Sequence, residues 1–350
     1  MSSSRRPRRS PGARARVDSA FLTGGTGFVG ASLARLLLKQ GLKVKALARK
    51  GSDRRNLAGL DLEVVEGGLL DSSAIESGVR GCRYVFHVAA DYRLWAPDPR
   101  QMYRANVDGT EIVLRAAAKA GAEKIVHCSS VAAVAPPHDK APVDETHEYG
   151  SVDEVVSDYK KSKYLSDVLA LRLAREEGLP VVVVNPAAPI GPRDIKPTPT
   201  GRIVTDFLNG KMPSYIDTGL NIVHVEDVAL GHWLAATKGR VGERYILGGE
   251  NLTLKQVLDL LSEVSGRPAP RFKTPYAVAY AFGAVDTALA RMRGTEPMAP
   301  LDAIKMARHY MWFSSDKARE ELGYAPRTAK TALKDAADWF LANGYVLAAA

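Results

Sequence analysis

The sequence is poor in cysteine and contains no long apolar run. Its 350 residues include only Cys82 and Cys128, whose spacing suits neither a disulfide framework nor a metal site. His87, His127 and His224 are scattered singly, as is usual for core or loop histidines. No run approaches the roughly 18 apolar residues needed to span a bilayer. We therefore expect a soluble, cytoplasmic protein without a bound metal.

Acidic residues are missing from the start of the chain, where the positive charge is concentrated. Residues 1–16 hold six arginines and no acid, and so account for most of the net charge of +9. This segment, rich in Ser, Pro and Arg, is expected to be a disordered basic tail. It lacks the apolar core of a secretory signal, although an organelle transit peptide is an alternative. The rest of the chain is nearly neutral, so the charge predicts no nucleic-acid partner.

Short apolar strands alternate with helical segments up to about residue 186. This rhythm predicts an α/β protein with a doubly wound, parallel, Rossmann-type sheet. We expect the dinucleotide-binding domain over 17–190, with 221–248 returning to it. A smaller, mostly helical C-terminal lobe over 191–220 and 249–350 is expected to bind substrate. Further expectations are helices over about 100–120 and 153–177 and a stiff, proline-rich loop over 189–200.

A glycine-rich turn over residues 23–30 joins the first strand to the first helix. Two registers fit, one using Gly24, Gly27 and Gly30 and the other using Gly25, Gly27 and Gly30. Free backbone N–H groups at Phe28 and Val29, together with the helix dipole, would face a pyrophosphate. The turn therefore predicts dinucleotide binding.

Three further residues form a candidate proton-transfer site. Tyr159 and Lys163 are four residues apart and share one helical face. A lysine ammonium favours the phenolate and would lower the pKa of Tyr159, which could then exchange a proton with a substrate oxygen. Ser130 follows a strand at the sheet edge where ligands bind, and its hydroxyl could orient that oxygen. The alternatives are a solvated helix face and a serine that caps a turn.

Together these motifs resemble the extended short-chain dehydrogenase/reductase superfamily, which includes the NAD-dependent epimerase/dehydratase family. Other motifs of this superfamily are Val88-Ala89-Ala90, Asn106-Val107-Asp108-Gly109-Thr110, Asn185-Pro186 and His224-Val225-Glu226-Asp227. The resemblance implies a catalytic Ser130, Tyr159 and Lys163, with Ser129 near the nicotinamide ribose. It also implies cofactor contacts at Leu69, Ala89, Ala90, Tyr159, Lys163 and Pro186.

Within this branch, residues 87–95 and 192–201 resemble the hopanoid-associated sugar epimerases. Dihydroflavonol 4-reductase-like carbonyl reductases are also similar. The resemblance implies an NAD(P)-dependent epimerase or reductase acting on a secondary alcohol or ketone. The two reactions share one apparatus, so the alternative of an NADPH-dependent carbonyl reductase stays open, as does a non-catalytic dinucleotide sensor.

The cofactor preference depends on the residues that follow the second strand. No Asp or Glu occurs between Gly30 and Asp53, where an acid would bind the ribose hydroxyls of NAD. Arg49, Lys50, Ser52 and Arg54 instead suit a 2′-phosphate, which favours NADP over NAD. Gly68 stands where the family usually carries an acid that contacts adenine.

Substrate contacts and partners are predicted from loops and surfaces. The candidate substrate residues follow two strand ends; they are Asp91, Tyr92, Arg93, Trp95, Arg193 and Asp194. The helices that begin near residues 100 and 153 could form a homodimer interface, as in many relatives. The apolar stretch 276–285 is expected to be a buried helix, with a substrate channel or peripheral membrane contact as alternatives.

Overall fold

A seven-stranded parallel sheet forms the centre of the protein. The computed structural model describes residues 18–92, 98–137, 139–293, 295, 297 and 301–346, so the predicted basic tail and residues 93 and 95 lie outside the described part. The sheet strands are β1 (Ser19–Thr23), β2 (Lys43–Ala48), β3 (Glu63–Glu66), β4 (Tyr84–His87), β5 (Lys124–Cys128), β6 (Val181–Pro186) and β10 (Arg244–Leu247). Their order is β10-β6-β5-β4-β1-β2-β3, and every pair is parallel. The predicted fold class is confirmed.

Helices flank this sheet and build the second lobe. Those on the sheet are α1 (Phe28–Lys39), α2 (Ser72–Val79), α3 (Arg100–Tyr103), α4 (Gly109–Lys119), α5 (Asp158–Glu177), α7 (Val225–Lys238) and α11 (Asp316–Leu322). The others are α6 (Pro199–Leu208), α8 (Leu254–Ser265), α9 (Tyr276–Arg293), α10 (Leu301–Met306) and α12 (Ala329–Ala342).

Both faces of the large sheet are covered, which explains its continuous apolar strands. On one face, Leu33 and Leu37 of α1 and Val228 of α7 join the core. On the other face, Ile75 of α2 and Leu173 of α5 pack against the strands. The carboxyl ends of β1, β4, β5 and β6 therefore form one edge, to which the candidate site residues are attached.

A smaller sheet belongs to the second lobe. It contains β7 (Ala188–Ile190), β9 (Gly219–His224), β11 (Glu250–Thr253) and β13 (Tyr310–Met311), while β8 (Ser214–Tyr215) pairs with β12 (Phe272–Lys273). Of the segment 221–248, α7 and β10 rejoin the large sheet, but β9 does not. β9 pairs instead with β7, β11 and β13, and its buried Ile222 packs among the helices of the lobe.

Two predicted segment boundaries are corrected by backbone geometry. The helix expected from about residue 153 begins at Asp158, because Ser157 has φ 76 and interrupts the helical path. Its hydroxyl then caps the helix by accepting from the Lys160 N–H at 3.4 Å. The expected loop 189–200 contains most of β7 and the start of α6, whose first residue, Pro199, suits a helix N-terminus.

The expected burial of residues 276–285 is wrong. Helix α9 covers this stretch, but Val278, Phe282 and Val285 are 58%, 53% and 60% exposed. Its inward positions are small, with Ala279 and Ala290 buried. The small residues of α9 therefore pack against the lobe, and its larger side chains Val278, Phe282 and Val285 face outward.

We predict that Phe340→Ala lowers the free energy of unfolding by about 3–5 kcal/mol, because it leaves a cavity in the second lobe. Phe340 is fully buried on α12, with its ring 5.3 Å from those of Trp339 and Tyr345. The neighbouring Leu341 is 47% exposed. Leu341→Ala should change the free energy by less than about 0.5 kcal/mol. Equal losses in urea unfolding of both variants would contradict this packing.

Candidate active site

The glycine turn between β1 and α1 brings three backbone segments together. Gly24 has φ +77, and a Cβ there would lie 2.6 Å from the Ala89 nitrogen. A Cβ on Gly30 would lie 2.1 Å from the Gly24 carbonyl oxygen, which accepts from the Gly27 N–H at 2.9 Å. These close approaches require glycine and select the register Gly24, Gly27, Gly30.

The first turn of α1 suits an anionic cofactor. Gly27 precedes the helix and has no side chain to cap it, and no acidic side chain occurs in that turn. The N–H groups of the first turn, including those of Phe28 and Val29, lack intrahelical acceptors by geometry and are available to a pyrophosphate. The turn therefore fits the dinucleotide that the sequence predicts.

Thr23 at the end of β1 holds the end of β4 beside the glycine turn. Its Oγ1 accepts from the N–H groups of Val88 and Ala89, each at 3.1 Å, and lies 2.8 Å from His87 Nδ1. Burial lowers the pKa of His87 to about 3, so this histidine is neutral. Ala89 and Ala90 are thereby fixed next to Gly24. No sequence motif indicates this role of Thr23.

Ser130 and Tyr159 meet at the carboxyl end of β5. The Ser130 hydroxyl accepts from the Ala132 N–H at 3.1 Å, and its proximity to Tyr159 lowers the pKa of the phenol. Desolvation has the larger, opposite effect and raises that pKa to about 12. Two of the three predicted catalytic residues thus lie near each other.

Lys163 is buried one turn further along α5. Its Nζ donates to the Cys128 carbonyl oxygen at 2.9 Å, and burial lowers its pKa. Without a cofactor the pKa of Tyr159 is raised, and its lowering beside Lys163 and a bound nicotinamide stays a prediction. The ammonium is directed at a backbone carbonyl, and desolvation of the phenol dominates its titration.

A buried polar network anchors this pair to the sheet. Asn185 Nδ2 donates to the Ser130 carbonyl oxygen at 3.0 Å and to Asp167 Oδ1 at 2.8 Å. Asp167, on α5, is fully buried, and its Oδ2 lies 3.4 Å from Arg244 Nη1. The contact joins residues 77 positions apart. No sequence motif indicates Asp167 or Arg244, whereas Asn185 belongs to the Asn185-Pro186 motif.

Asn106 connects the loop after β4 to α5. Its Nδ2 donates to the Asp91 carbonyl oxygen and to Ser162 Oγ, both at 2.9 Å, and its Oδ1 accepts from the Asp91 N–H at 2.7 Å. Asn106 lies in a π-helical turn over 104–108, where the helix widens. The loop that carries Asp91 is therefore held beside α5.

The remaining predicted cofactor residues surround the same edge. Ser129 is buried at the end of β5, where its N–H donates to the Val184 carbonyl at 2.8 Å. Pro186 is buried at the end of β6, and the Leu69 side chain lies within contact of Gly109. Arg49 is exposed directly after β2.

The predicted substrate residues differ in their surroundings. Asp91 is half-buried and Tyr92 is 45% exposed, whereas Arg93 and Trp95 lie outside the described residues. Arg193 has a left-handed backbone, φ 73, and its carbonyl accepts from Asn56 Nδ2 at 3.2 Å.

Asp194, which was predicted to contact substrate, binds Thr198 in this structure. Its carboxylate is buried and accepts from the Thr198 N–H at 2.8 Å and the Thr198 hydroxyl at 2.7 Å. Thr198 precedes α6, so Asp194 fixes the start of that helix. Its burial raises the pKa to about 6.

A family model described as the NAD dependent epimerase/dehydratase family matches residues 20–248. The chain belongs to this family. It is therefore an extended short-chain dehydrogenase/reductase and an NAD(P)-dependent enzyme, as the motifs predicted.

Named relatives cover nearly the whole chain. A Synechocystis protein provisionally named dihydroflavonol 4-reductase is 44% identical over 95% of this chain and 97% of its own length. Sterol demethylase protein B of Methylococcus capsulatus is 33% identical over 94% and 100% of the two chains. The structure of a nucleoside-diphosphate-sugar epimerase from Pseudomonas aeruginosa, 30% identical, matches with a TM-score of 0.78 over 94% and 99%.

We predict that Asp167→Ala destabilises the protein by about 1–3 kcal/mol, because the buried Asn185 amide loses an acceptor, while Arg244 keeps the Glu145 carbonyl and Glu148 as partners. Glu176→Ala removes an exposed carboxylate from the same helix and should change stability by less than about 0.5 kcal/mol. Urea unfolding measures both. A loss at Asp167 no larger than that of the control would show that the network contributes little to stability.

Proposed function

We propose that this enzyme is an NADPH-dependent ketone reductase that interconverts a ketone and a secondary alcohol. The supporting observation is the proximity of the Ser130 hydroxyl to Tyr159, which lowers the pKa of the phenol, with Lys163 buried one helical turn away and bound to the Cys128 carbonyl. A hydroxyl pair at the edge of a nucleotide-binding sheet suits proton transfer to a carbonyl oxygen. A non-catalytic dinucleotide sensor would not need this arrangement.

The protein side chains transfer the proton in this reaction and orient the oxygen that receives it. Tyr159 donates its phenolic proton to the substrate oxygen, and Ser130 orients that oxygen by a second hydrogen bond. The buried Lys163 ammonium stabilises the phenolate that remains. The bound nicotinamide supplies the hydride to the carbonyl carbon. In the reverse direction Tyr159 accepts the proton of the alcohol.

NADPH is proposed because of the charges that follow β2. Arg49 and Lys50 are exposed there, and no ion pair to Arg49 occurs among the described residues. The nearest acid along the chain, Asp53, is bound by Arg55 at 2.7 Å, which holds the pKa of its carboxyl at about 2. This carboxylate is therefore already engaged, and the exposed cations suit a 2′-phosphate.

The reductase is favoured because reductase names recur among the relatives. Besides the Synechocystis protein, a Stigmatella aurantiaca relative is named a ketoreductase of a farnesylated quinoline oxide. This name and the sterol in that of the Methylococcus protein favour an apolar ketone as substrate. Asp91 and Tyr92, on the loop held by Asn106, are proposed to face it.

An epimerase is the second candidate, favoured by the name of the Pseudomonas relative. The stoichiometry of the cofactor separates the two reactions. A reductase consumes one NADPH for each ketone, whereas an epimerase retains its cofactor and shows no net change. Turnover of a sugar without loss of NADPH absorbance would contradict the reductase. The hopanoid link, the homodimer through α3 and α5, and the cytoplasmic location stay predictions.

We predict that Tyr159→Phe lowers kcat for ketone reduction by about 10²–10⁴-fold, since the proton donor is lost. Binding of NADPH should be unchanged. Tyr164→Phe removes a hydroxyl from the same helix, where Tyr164 packs edge-on against Tyr149, and should keep full activity. NADPH oxidation over a panel of ketones measures the effect. Undiminished activity of Tyr159→Phe would refute the proposed role.

We predict that Arg49→Ser raises KM for NADPH about tenfold, which corresponds to about 1.4 kcal/mol, and leaves KM for NADH nearly unchanged. The reason is the lost attraction to the 2′-phosphate. Lys39→Ser removes an exposed cation at the end of α1 and serves as the control. An equal effect of Arg49→Ser on both cofactors would contradict a 2′-phosphate contact.

A further inference from the structure

We infer that the outward face of α9 lies on an anionic lipid surface. Five exposed apolar side chains of this helix, Val278, Phe282, Val285, Leu289 and Met292, follow at alternating spacings of four and three residues, while Tyr280, 41% exposed, lies outside this series. The exposed fractions of the five are 58%, 53%, 60%, 37% and 78%. At 100° per residue this spacing places all five in one stripe along the helix.

Small residues hold the opposite face of α9 against the lobe. Ala279, Gly283 and Ala290 are buried, and Thr287 Oγ1 accepts from the Leu301 N–H at 3.0 Å. A helix on a water-exposed surface normally shows the reverse pattern, with its large apolar residues inside. The stripe is therefore a contiguous apolar surface, of the kind that marks an interaction site.

Positive charges at both ends of the helix favour an anionic lipid surface as the partner. Arg271 and Arg293 are exposed, and Phe272, beside Arg271, is 76% exposed. The acid within α9, Asp286, is only partly exposed. Apolar side chains that enter the headgroup region, with cations nearby, are typical of interfacial helices. In the described residues no helix is long and apolar enough to cross a bilayer, so α9 would lie along the surface.

The flanks of the stripe argue against a second copy of this chain. Helix pairs that share an alternating four-and-three stripe usually carry charged residues beside the seam, which set the partner and its orientation. On one side of the α9 stripe the corresponding positions are Ala281 and Ala288, both exposed. These alanines widen the apolar face, which suits a lipid surface better than a narrow helical seam.

Vesicle binding tests the inference on the full chain. The double variant Phe282→Glu/Val285→Glu places two carboxylates on the stripe. Val241→Glu/Leu341→Glu adds the same charge at sites that are 45% and 47% exposed elsewhere. The arginine-rich tail is present in all three proteins, so its attraction to lipid is common to them. Co-sedimentation uses vesicles of phosphatidylglycerol with phosphatidylcholine, and of phosphatidylcholine alone.

We expect the unaltered protein and the control to bind the anionic vesicles, and the α9 variant to bind at least about tenfold more weakly. All three should bind NADPH equally, which shows that they are folded and keeps this test separate from the proposed reaction. Equal vesicle binding by the α9 variant and the control would overturn the inference. A wild-type dimer that only the α9 variant dissociates, without a change in vesicle binding, would overturn it in favour of a second copy.

Discussion

The contacts of the Asn185 amide connect the two elements on which the active site depends. One amide group donates both to the Ser130 carbonyl, at the end of β5, and to Asp167 on α5. Arg244, from the edge strand β10, approaches the other oxygen of the same carboxylate. Because these groups are buried, each requires its partner, and a shift of either element would leave a polar atom unsatisfied. The relative position of Ser130 and Tyr159 is fixed by this requirement.

Close backbone approaches and two side-chain contacts fix the position of the glycine turn between β1 and α1. Gly24 allows the turn to approach Val88 and Ala89 after β4, Gly30 allows α1 to approach Gly24, and Thr23 joins the end of β4 to β1. The Lys163 ammonium donates to the Cys128 carbonyl, so this lysine also connects α5 to β5. The glycine turn and the proposed proton-transfer site are thus attached to strands of the same sheet.

Features encoded locally could be predicted from the sequence, and features that depend on packing could not. The glycine turn and the spacing of Tyr159 and Lys163 are local patterns. The pairing of Asp167 with Arg244 depends on how helix α5 packs against strand β10, which is distant in sequence. The pKa of Tyr159 depends on desolvation that only the folded site supplies. For α9, composition indicated an apolar helix, but the face that packs inward was decided by small residues such as Ala279.

A crystal structure with NADP bound tests the central claim most directly, namely that Ser130, Tyr159 and Lys163 are held beside the nicotinamide. The account predicts pyrophosphate on the first turn of α1, the 2′-phosphate beside Arg49, and the Tyr159 hydroxyl within hydrogen-bonding reach of a ketone placed over the nicotinamide C4. It would be contradicted by a phenol directed away from the nicotinamide, or by a dinucleotide bound elsewhere on the protein.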